Sequence, residues 1–255
     1  GGVLFNKNKT VLLCYPSGKK AKSYVVPTGV ITIEESAFQD AGNLEEVVFS
    51  NGVKTIGDRA FVSNKNLKKV NFSQTVETIS ECAFLGCESL ESITITSGVR
   101  TIGRSAFSGC YAIQSLTIEN GVETIGTWAF DAFWRLTELK LPNSVKQIES
   151  EAFRGWMGLE SIEVGEKNTA YSSLDGVLLN KDKTTLVLYP IGKKGSFYVI
   201  PESVSLIDES AFDRSKYLVN VTLPKNIKGI GNRAFYCCDS LSSIRLPDKI
   251  IVDEH

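Results

Sequence analysis

Residue types that could carry out chemistry are scarce in this chain. It has one histidine, His255, which is the last residue, and six cysteines, namely Cys14, Cys82, Cys87, Cys110, Cys237 and Cys238. No two cysteines form a C-x-x-C pair, which argues against a zinc site, and a serine or cysteine nucleophile would lack a histidine to activate it. The sequence therefore predicts no catalytic residue, no metal and no cofactor, and it makes an enzyme only a remote alternative.

A disulfide between Cys87 and Cys110 is a possibility that their spacing leaves open. The two residues are 23 positions apart, which is one repeat of the chain. Neighbouring strands about 4.8 Å apart would bring their Cα atoms within the range of a disulfide. Stacked repeats point both side chains the same way, however, which disfavours the torsion that a disulfide needs. Small buried thiols pack well in such a place, so we expect two free thiols.

The elements that position these residues follow from a period of 23 residues. The period is marked by a leucine or isoleucine every 23 residues at Leu44, Leu67, Leu90, Ile113, Leu136 and Leu159, and again by the pair Leu218 and Leu241. Each unit reads approximately L-x-x-I-x-L-P-x-x-V-x-x-I-G-x-x-A-F-x-x-C. No such unit can bury its own apolar face, so successive units must stack and share one continuous core.

Two local periodicities alternate inside each unit. Ile93 and Ile95 alternate with the polar residues Ser92 and Thr94, and this alternation is typical of a half-buried strand. The A-F-x-x-C segment spaces its apolar residues three or four apart, which favours one helical or 3-10 turn. The predicted fold class is therefore α/β, mainly β: a solenoid of 23-residue coils, each with a strand and a short helical or 3-10 turn.

The chain also contains a second, longer repeat, with an offset of 174 residues. Residues 2–16 recur as residues 176–190, with the polar run Asn6 to Lys9 matching Asn180 to Lys183. Apolar alternating runs on both sides of a polar turn predict a β-hairpin, and we expect the second copy to protrude. We predict one domain, 1–255, with an N-terminal hairpin unit (1–24), regular repeats (25–168), a hairpin insertion (169–198) and C-terminal repeats (199–255).

These motifs resemble the BspA-like leucine-rich-repeat family of bacterial and some protist surface proteins. The resemblance rests on the repeated V-x-x-I-G-x-x-A-F-x-x-C unit and on the D-G-V-L-x-N-K-D-K-T segment that begins at Asp175. It implies a right-handed superhelix, a cell-surface or secreted location, and adhesion to matrix proteins of a host or to other cells. It implies no catalytic residues. A structural spacer within a larger surface protein is the alternative function.

Aromatic residues concentrate in two central units. Phe133 and Trp156 replace the inward cysteine of the repeat, which favours a role in the core, whereas Trp134 and Met157 follow one residue later and are expected on the surface. The outward residues of the strands form the other candidate surface. The predicted partner-binding residues are Ser92, Thr94, Ser115, Thr117, Glu138, Lys140, Trp134 and Met157.

Composition limits the partners. The chain has 28 Lys and Arg against 29 Asp and Glu, so its net charge of −1 provides no general attraction to nucleic acid. Its apolar runs are too short to cross a bilayer. We expect a monomer that binds a protein or a glycan and does not insert into a membrane. We also expect a trimmed segment, with Gly1 as a cleavage remnant and with any signal peptide and anchor outside it.

Overall fold

The structure is a computed structural model that describes residues 2–245. Gly1, residues 246–255 and with them His255 lie outside the described residues. The chain divides into two compact units. Unit 1 contains residues 1–136 and 147–154, and unit 2 contains residues 137–146 and 155–255. Each unit is a stack of short β-strands joined by turns.

Short strands recur through the first half of the chain. They are β1 (Leu4–Phe5), β2 (Val11–Cys14), β3 (Ser23–Val26), β4 (Thr32–Ile33), β5 (Glu46–Phe49), β6 (Thr55–Ile56), β7 (Lys69–Asn71), β8 (Thr78–Ile79), β9 (Ser92–Ile95), β10 (Thr101–Ile102), β11 (Ser115–Ile118) and β12 (Thr124–Ile125). The second half continues with β13 (Glu138–Leu141), β14 (Gln147–Ile148), β15 (Ser161–Val164), β16 (Tyr171–Leu174), β17 (Val177–Asn180), β18 (Thr185–Leu188), β19 (Phe197–Val199), β20 (Leu206–Ile207), β21 (Asn220–Thr222), β22 (Gly229–Ile230) and β23 (Ser243–Arg245).

Two sheets form unit 1, because each coil contributes one longer and one shorter strand. The longer strands make a five-stranded sheet in the order β11-β9-β7-β5-β3, and the shorter ones join the hairpin in an eight-stranded sheet in the order β1-β2-β4-β6-β8-β10-β12-β14. Apart from the antiparallel hairpin β1-β2, all these strands pair in parallel. In these parallel pairs the register is 23 residues, as in Ser92 with Ser115, except next to the hairpin, where Val11 pairs with Thr32 at an offset of 21. The predicted period is thus the distance between equivalent residues of adjacent coils.

Unit 2 repeats this arrangement with an additional hairpin strand. The pair β13-β15 is parallel, β19-β21-β23 is a parallel three-stranded sheet, and β16-β17-β18-β20-β22 is a mixed five-stranded sheet. Its core contains Tyr189, Phe212 and Leu218, each no more than 2% exposed. Phe212 stacks between Tyr189 and Phe235, at centroid distances of 5.0 and 4.8 Å.

A column of stacked phenylalanines runs through the core of unit 1. Consecutive ring centroids lie 4.5 to 5.9 Å apart and the ring planes are within 16° of parallel, in the series Phe38, Phe61, Phe84, Phe107, Phe130 and Phe153. Tyr15 caps the column at 4.9 Å from Phe38. Burying each such ring stabilises the fold by roughly 1.5–3 kcal/mol. The predicted Ala-Phe ladder is therefore the centre of the core.

The prediction of a helical or 3-10 turn is wrong, because residues 2–245 contain neither element. Each core phenylalanine is flanked, two residues before and two residues after, by a residue with φ between +50° and +74°. The residues before it are Ser36, Arg59, Cys82, Ser105, Trp128, Glu151, Ser210 and Arg233, and those after it are Asp40, Ser63, Gly86, Gly109, Ala132, Gly155, Arg214 and Cys237. An α-helix needs consecutive residues near φ −63°, so the α component of the predicted fold class is absent there.

Hydrogen bonds from alternate backbone N–H groups to the next coil take the place of the hydrogen bonds of a helix. The N–H of Phe38 donates to the carbonyl of Ala60 one coil later at 2.7 Å, and the N–H of Ser36 donates to that of Asp58 at 2.9 Å. The intervening N–H of Ala37 donates within its own coil, to Glu34, at 3.2 Å. Half of the donors thus bind the neighbouring coil, which a helix would not allow because it uses its donors internally.

The duplicated hairpin has the same pairing in both copies. Leu4 pairs with Cys14 across β1 and β2, as Leu178 pairs with Leu188 across β17 and β18, and both pairs have a register shift at this point. The second copy does not protrude as the sequence suggested: Val177, Leu178 and Leu179 are fully buried. The reason is that β16 pairs with β17 on one side, while β18 pairs in parallel with β20.

Candidate functional site

The outward face of β9 and β11 in unit 1 carries hydroxyl groups. Ser92 pairs with Ser115 and Thr94 with Thr117, so the four side chains form two rows across adjacent strands. All four residues are exposed, because successive side chains of a strand point to opposite faces. Ile93 and Ile95 alternate with them and are at most 2% exposed. The face is polar, and its largest side chains are threonines.

The corresponding face of β13 and β15 lies in unit 2 and is charged. Glu138 pairs with Ser161 and Lys140 with Glu163. Both Glu138 and Lys140 are exposed, and the Lys140 Nζ lies 3.5 Å from a carboxylate oxygen of Glu163. Since both side chains of that ion pair are more than 70% exposed, solvent screens it. The six strand residues chosen from the sequence therefore belong to two separate sheets, hydroxyl-rich in unit 1 and charged in unit 2.

The aromatic residues divide between core and surface as predicted. Phe133 and Trp156 are fully buried, whereas Trp134 is 51% exposed and Met157 is 46% exposed. Each stands where other coils have a smaller inward residue, such as Cys87, Cys110 or Ser215. The residue after each of them is displaced to the surface.

Sequence reasoning missed Tyr111, which forms an exposed pair with Trp134. The two rings are stacked, with centroids 4.6 Å apart and an angle of 21° between their planes, and Tyr111 is 41% exposed. Tyr111 stands 23 residues before Trp134, directly after Cys110. The repeat itself could have found it, because the position after the inward residue is on the surface of every such coil.

A second exposed patch that the sequence analysis missed lies on β19 in unit 2. Phe197 is 60% exposed and Val199 is 54% exposed, and they pair with Asn220 and Thr222 of β21. Tyr198, between them, packs against the core of unit 2. The segment itself shows no alternation, but the repeat could have indicated the outward direction, because Phe197 and Val199 stand 23 residues before the polar strand residues Asn220 and Thr222.

The cysteines are free, and three of them, Cys82, Cys87 and Cys110, are buried. Cys87 Sγ donates to the carbonyl of Phe61 at 3.3 Å, and Cys110 Sγ donates to that of Phe84 at 3.4 Å. Burial raises the pKa of the Cys87 thiol well above its usual value, because the thiolate would be desolvated. A protonated, inaccessible thiol is a poor nucleophile, so Cys87 is a core residue.

Ion pairs connect adjacent coils on the surface of unit 1. Glu45 accepts from the ammonium of Lys22 at 2.7 Å and from that of Lys68 at 2.9 Å. Hydrogen bonds from these two lysines lower the pKa of Glu45 to about 2. Lys54 and Glu77 form a similar pair at 3.0 Å. The partners in these pairs are again one 23-residue period apart, and because the pairs are exposed to solvent, each contributes little to stability.

Two further kinds of site, a metal cluster and a membrane-spanning helix, are absent from residues 2–245. No group of three or more His, Cys, Asp or Glu residues in that range is arranged to hold a metal ion. The same range contains no helix with the length and apolar character needed to cross a membrane.

Comparison with known proteins identifies sequence relatives of this repeat. The family profile described as BspA type leucine rich repeat region matches residues 14–132, 55–174 and 193–254, in six copies. No curated protein matches the chain in sequence.

Solved structures share the fold at modest identity. The pneumococcal vaccine antigen PcpA is 26% identical with a TM-score of 0.84, over 98% of this chain and 71% of that one. A leucine rich cell surface protein from Faecalibacterium prausnitzii is 25% identical with a TM-score of 0.80, over 97% of this chain and 75% of that one. A leucine-rich repeat protein from Eubacterium ventriosum, at 21% identity and a TM-score of 0.62, covers 94% of this chain and 66% of its own. This last likeness concerns the fold alone.

Proposed function

Because the chain belongs to the family of BspA-type leucine-rich-repeat proteins, we propose that it is a non-enzymatic binding module. It is displayed on a bacterial cell surface or secreted, and as a monomer it adheres to a protein of a host matrix or of another cell, or to a glycan. The location is supported by the similarity to a leucine rich cell surface protein and to a vaccine antigen.

The observation that carries the proposal is the outward face of β9 and β11. Ser92, Thr94, Ser115 and Thr117 present four hydroxyl groups in two rows on a parallel ladder. Each hydroxyl can both donate and accept a hydrogen bond, so the face can match amides of a protein or hydroxyls of a sugar. Because these side chains are short, a partner can approach the sheet closely.

Tyr111 and Trp134 supply an apolar anchor next to this face. Tyr111 precedes Ser115 by four residues, which limits the distance between their Cα atoms to about 14 Å. Tryptophan and tyrosine dominate binding energies at protein interfaces when they become desolvated. A polar strand face with an aromatic anchor at its side is therefore suited to adhesion. In unit 2, Glu138, Lys140 and Met157 form a separate candidate patch with a charged character.

The proposal is tested by binding of the purified protein to immobilised matrix proteins and to a glycan array. The first variant combines Thr94→Arg with Thr117→Arg, which places two bulky charges on the face. The second combines Tyr111→Ala with Trp134→Ala. Thr101→Arg is the matched control, because Thr101 is also an exposed strand threonine but belongs to the other sheet of unit 1. Glu138→Ala with Lys140→Ala probes the patch in unit 2.

We expect the first two variants to weaken binding by at least about ten-fold at an unchanged melting temperature, while Thr101→Arg binds normally. Binding that survives both double variants would refute a site at β9, β11 and the aromatic pair. If the unmodified protein binds nothing at micromolar concentration, the adhesion proposal fails and a structural spacer becomes the better account.

A further inference from the structure

A surface cleft of about 280 Å³ lies between the first coils of unit 1, and it includes the ion-paired residues Lys22, Glu45 and Lys68 but no residue of the β9–β11 face. Its lining residues are Lys20, Lys22, Gly42, Asn43, Glu45, Asn66 and Lys68. They come from three successive passes of the chain, since Lys20, Asn43 and Asn66 are each 23 residues apart. The cleft is therefore a product of the stacking and is absent from any single coil.

Gly42 is what opens this cleft. The same position of the following coils is occupied by larger side chains, namely Lys65, Glu88, Tyr111 and Trp134. A Cβ placed on Gly42 would meet nothing closer than the carbonyl oxygen of Asp40, at 3.9 Å. The backbone of Gly42 is not in the left-handed region, so a side chain is sterically acceptable. The glycine leaves space that its equivalents fill.

Charge in the cleft favours an anion. Its lining contains three lysines and one carboxylate, a net charge of +2. The carboxylate of Glu45 is shared by Lys22 and Lys68, and Lys20 has no ion-pair partner among the described residues. The surrounding sequence adds to this field, because residues 1–72 contain ten Lys and Arg but six Asp and Glu. Residues 73–166 are acidic in contrast, with six Lys and Arg against thirteen Asp and Glu.

Two asparagine amides add neutral hydrogen-bonding groups. The Nδ2 of Asn43 donates to the carbonyl of Lys19 at 3.0 Å, and the Nδ2 of Asn66 donates to that of Gly42. These bonds hold both amides in place and leave their Oδ1 atoms to accept from a ligand. A sugar supplies such hydroxyl donors. No aromatic ring lines the cleft, so it lacks the stacking platform on which single-stranded nucleic acids depend.

We propose that this cleft binds an anionic saccharide that carries sulfate or carboxylate groups. The ammonium groups of Lys20, Lys22 and Lys68 neutralise the anionic groups, and the amide oxygens of Asn43 and Asn66 accept from sugar hydroxyls. The site is separate from the strand face of β9 and β11, so it stands or falls independently of the adhesion proposed there.

Three variants and one control test the site with fluorescent dextran sulfate, polygalacturonate and uncharged dextran as probes. The first variant is Lys20→Ala with Lys22→Ala and Lys68→Ala. The second, Gly42→Tyr, fills the cleft without changing its charge and copies the side chain that Tyr111 has at the equivalent position. The third, Glu45→Gln, removes the carboxylate that competes for Lys22 and Lys68. Lys54→Ala is the control, because Lys54 forms an ion pair of the same kind elsewhere on unit 1.

We expect sulfated or carboxylated probes to bind and uncharged dextran to remain free. The triple lysine variant and Gly42→Tyr should each weaken binding by about ten-fold or more, Glu45→Gln should strengthen it, and Lys54→Ala should leave it unchanged. Melting temperatures establish that every variant is folded. The proposal is overturned if neither anionic probe binds, if Gly42→Tyr binds as well as the unmodified protein, or if Lys54→Ala weakens binding as much as the triple variant. A preference for one anionic probe distinguishes sulfate from carboxylate recognition.

Discussion

The rings of Phe84 and Phe107 lie 5.2 Å apart and within 2° of parallel, although 23 residues of chain separate them. Phe107 also stacks on Phe130 at 5.6 Å and is fully buried. Each ring is therefore packed against the equivalent ring of the coil on either side. The core of unit 1 therefore depends on contacts between coils, and replacing Phe107 removes packing against both neighbouring coils.

Phe107→Ala is expected to reduce the free energy of unfolding by about 3–5 kcal/mol, because it leaves a cavity in addition to removing buried apolar area. Equilibrium urea unfolding measures the change. Gln114→Ala, at an exposed position of the same coil, serves as the control and should change stability by no more than about 0.5 kcal/mol. A loss below about 1 kcal/mol for Phe107→Ala would contradict the packed column.

Much of this core could be predicted from sequence, since the 23-residue spacing of the Ala-Phe pairs leaves few alternatives to stacked coils. The turn around each phenylalanine could not. Glycine at Gly86, Gly109 and Gly155 indicates a left-handed residue, but Ser105 and Trp128 adopt the same conformation without such a signal. The apolar spacing of A-F-x-x-C fits a helix equally well, and the hydrogen bonds to the next coil decide against it.

The candidate surfaces were predictable to a similar degree. Alternation along β9 and β11 correctly predicts that Ser92, Thr94, Ser115 and Thr117 are exposed, and whether they bind a partner stays a prediction. The cleft at Gly42 could not be inferred from the chain alone, because it depends on what a missing side chain leaves open between three coils. Composition gave no indication of the cleft either, because the net charge of −1 is the sum of a basic segment, residues 1–72, and an acidic one, residues 73–166, together with the rest of the chain.

Ala132 provides a test of the left-handed turns. It has φ +66° where the equivalent residues Gly109 and Gly155 have +74° and +72°. The left-handed region costs an L-residue with a Cβ roughly 1–2 kcal/mol. Ala132→Gly is therefore expected to increase the free energy of unfolding by about 1 kcal/mol, in spite of the entropy that glycine loses on folding.

The reciprocal change, Gly109→Ala, should lower the free energy of unfolding by about the same amount. A Cβ at Gly109 meets no atom closer than 3.6 Å, so its cost comes from φ and not from a clash. Urea unfolding of both variants makes the comparison. If Ala132→Gly destabilises the protein, the left-handed conformation at Ala132 is refuted.

Thiol reactivity tests the assignment of the cysteines. Cys14 and Cys237 are exposed, whereas Cys87 and Cys110 are fully buried. Near pH 8 a chromogenic disulfide reagent should modify the two exposed thiols rapidly in the native protein. The raised pKa of Cys87 keeps that thiol protonated, so it should react only after denaturation.

Mass spectrometry of the labelled peptides identifies the positions that react. The double variant Cys14→Ser and Cys237→Ser should lose the rapid phase and keep its melting temperature. Rapid labelling of Cys87 in the native protein would contradict its place in the core, and a Cys87–Cys110 disulfide in the purified protein would contradict the two free thiols.

Glu45 predicts how the stacking of the first coils depends on pH. Hydrogen bonds from Lys22 and Lys68 lower the pKa of its carboxyl to about 2, whereas an unfolded chain would have a value of about 4.3. The folded state therefore favours the carboxylate. The resulting stability is fully present above the unfolded pKa and is lost as pH falls from about 4.3 to about 2. We expect the stability difference between the unmodified protein and Glu45→Gln to shrink over this window and also with added salt, because both ion pairs are solvent-accessible. Urea unfolding at several pH values and an NMR titration of the Glu45 carboxyl measure the two effects, and an NMR midpoint above pH 4 would show that Lys22 and Lys68 do not hold the carboxylate in solution.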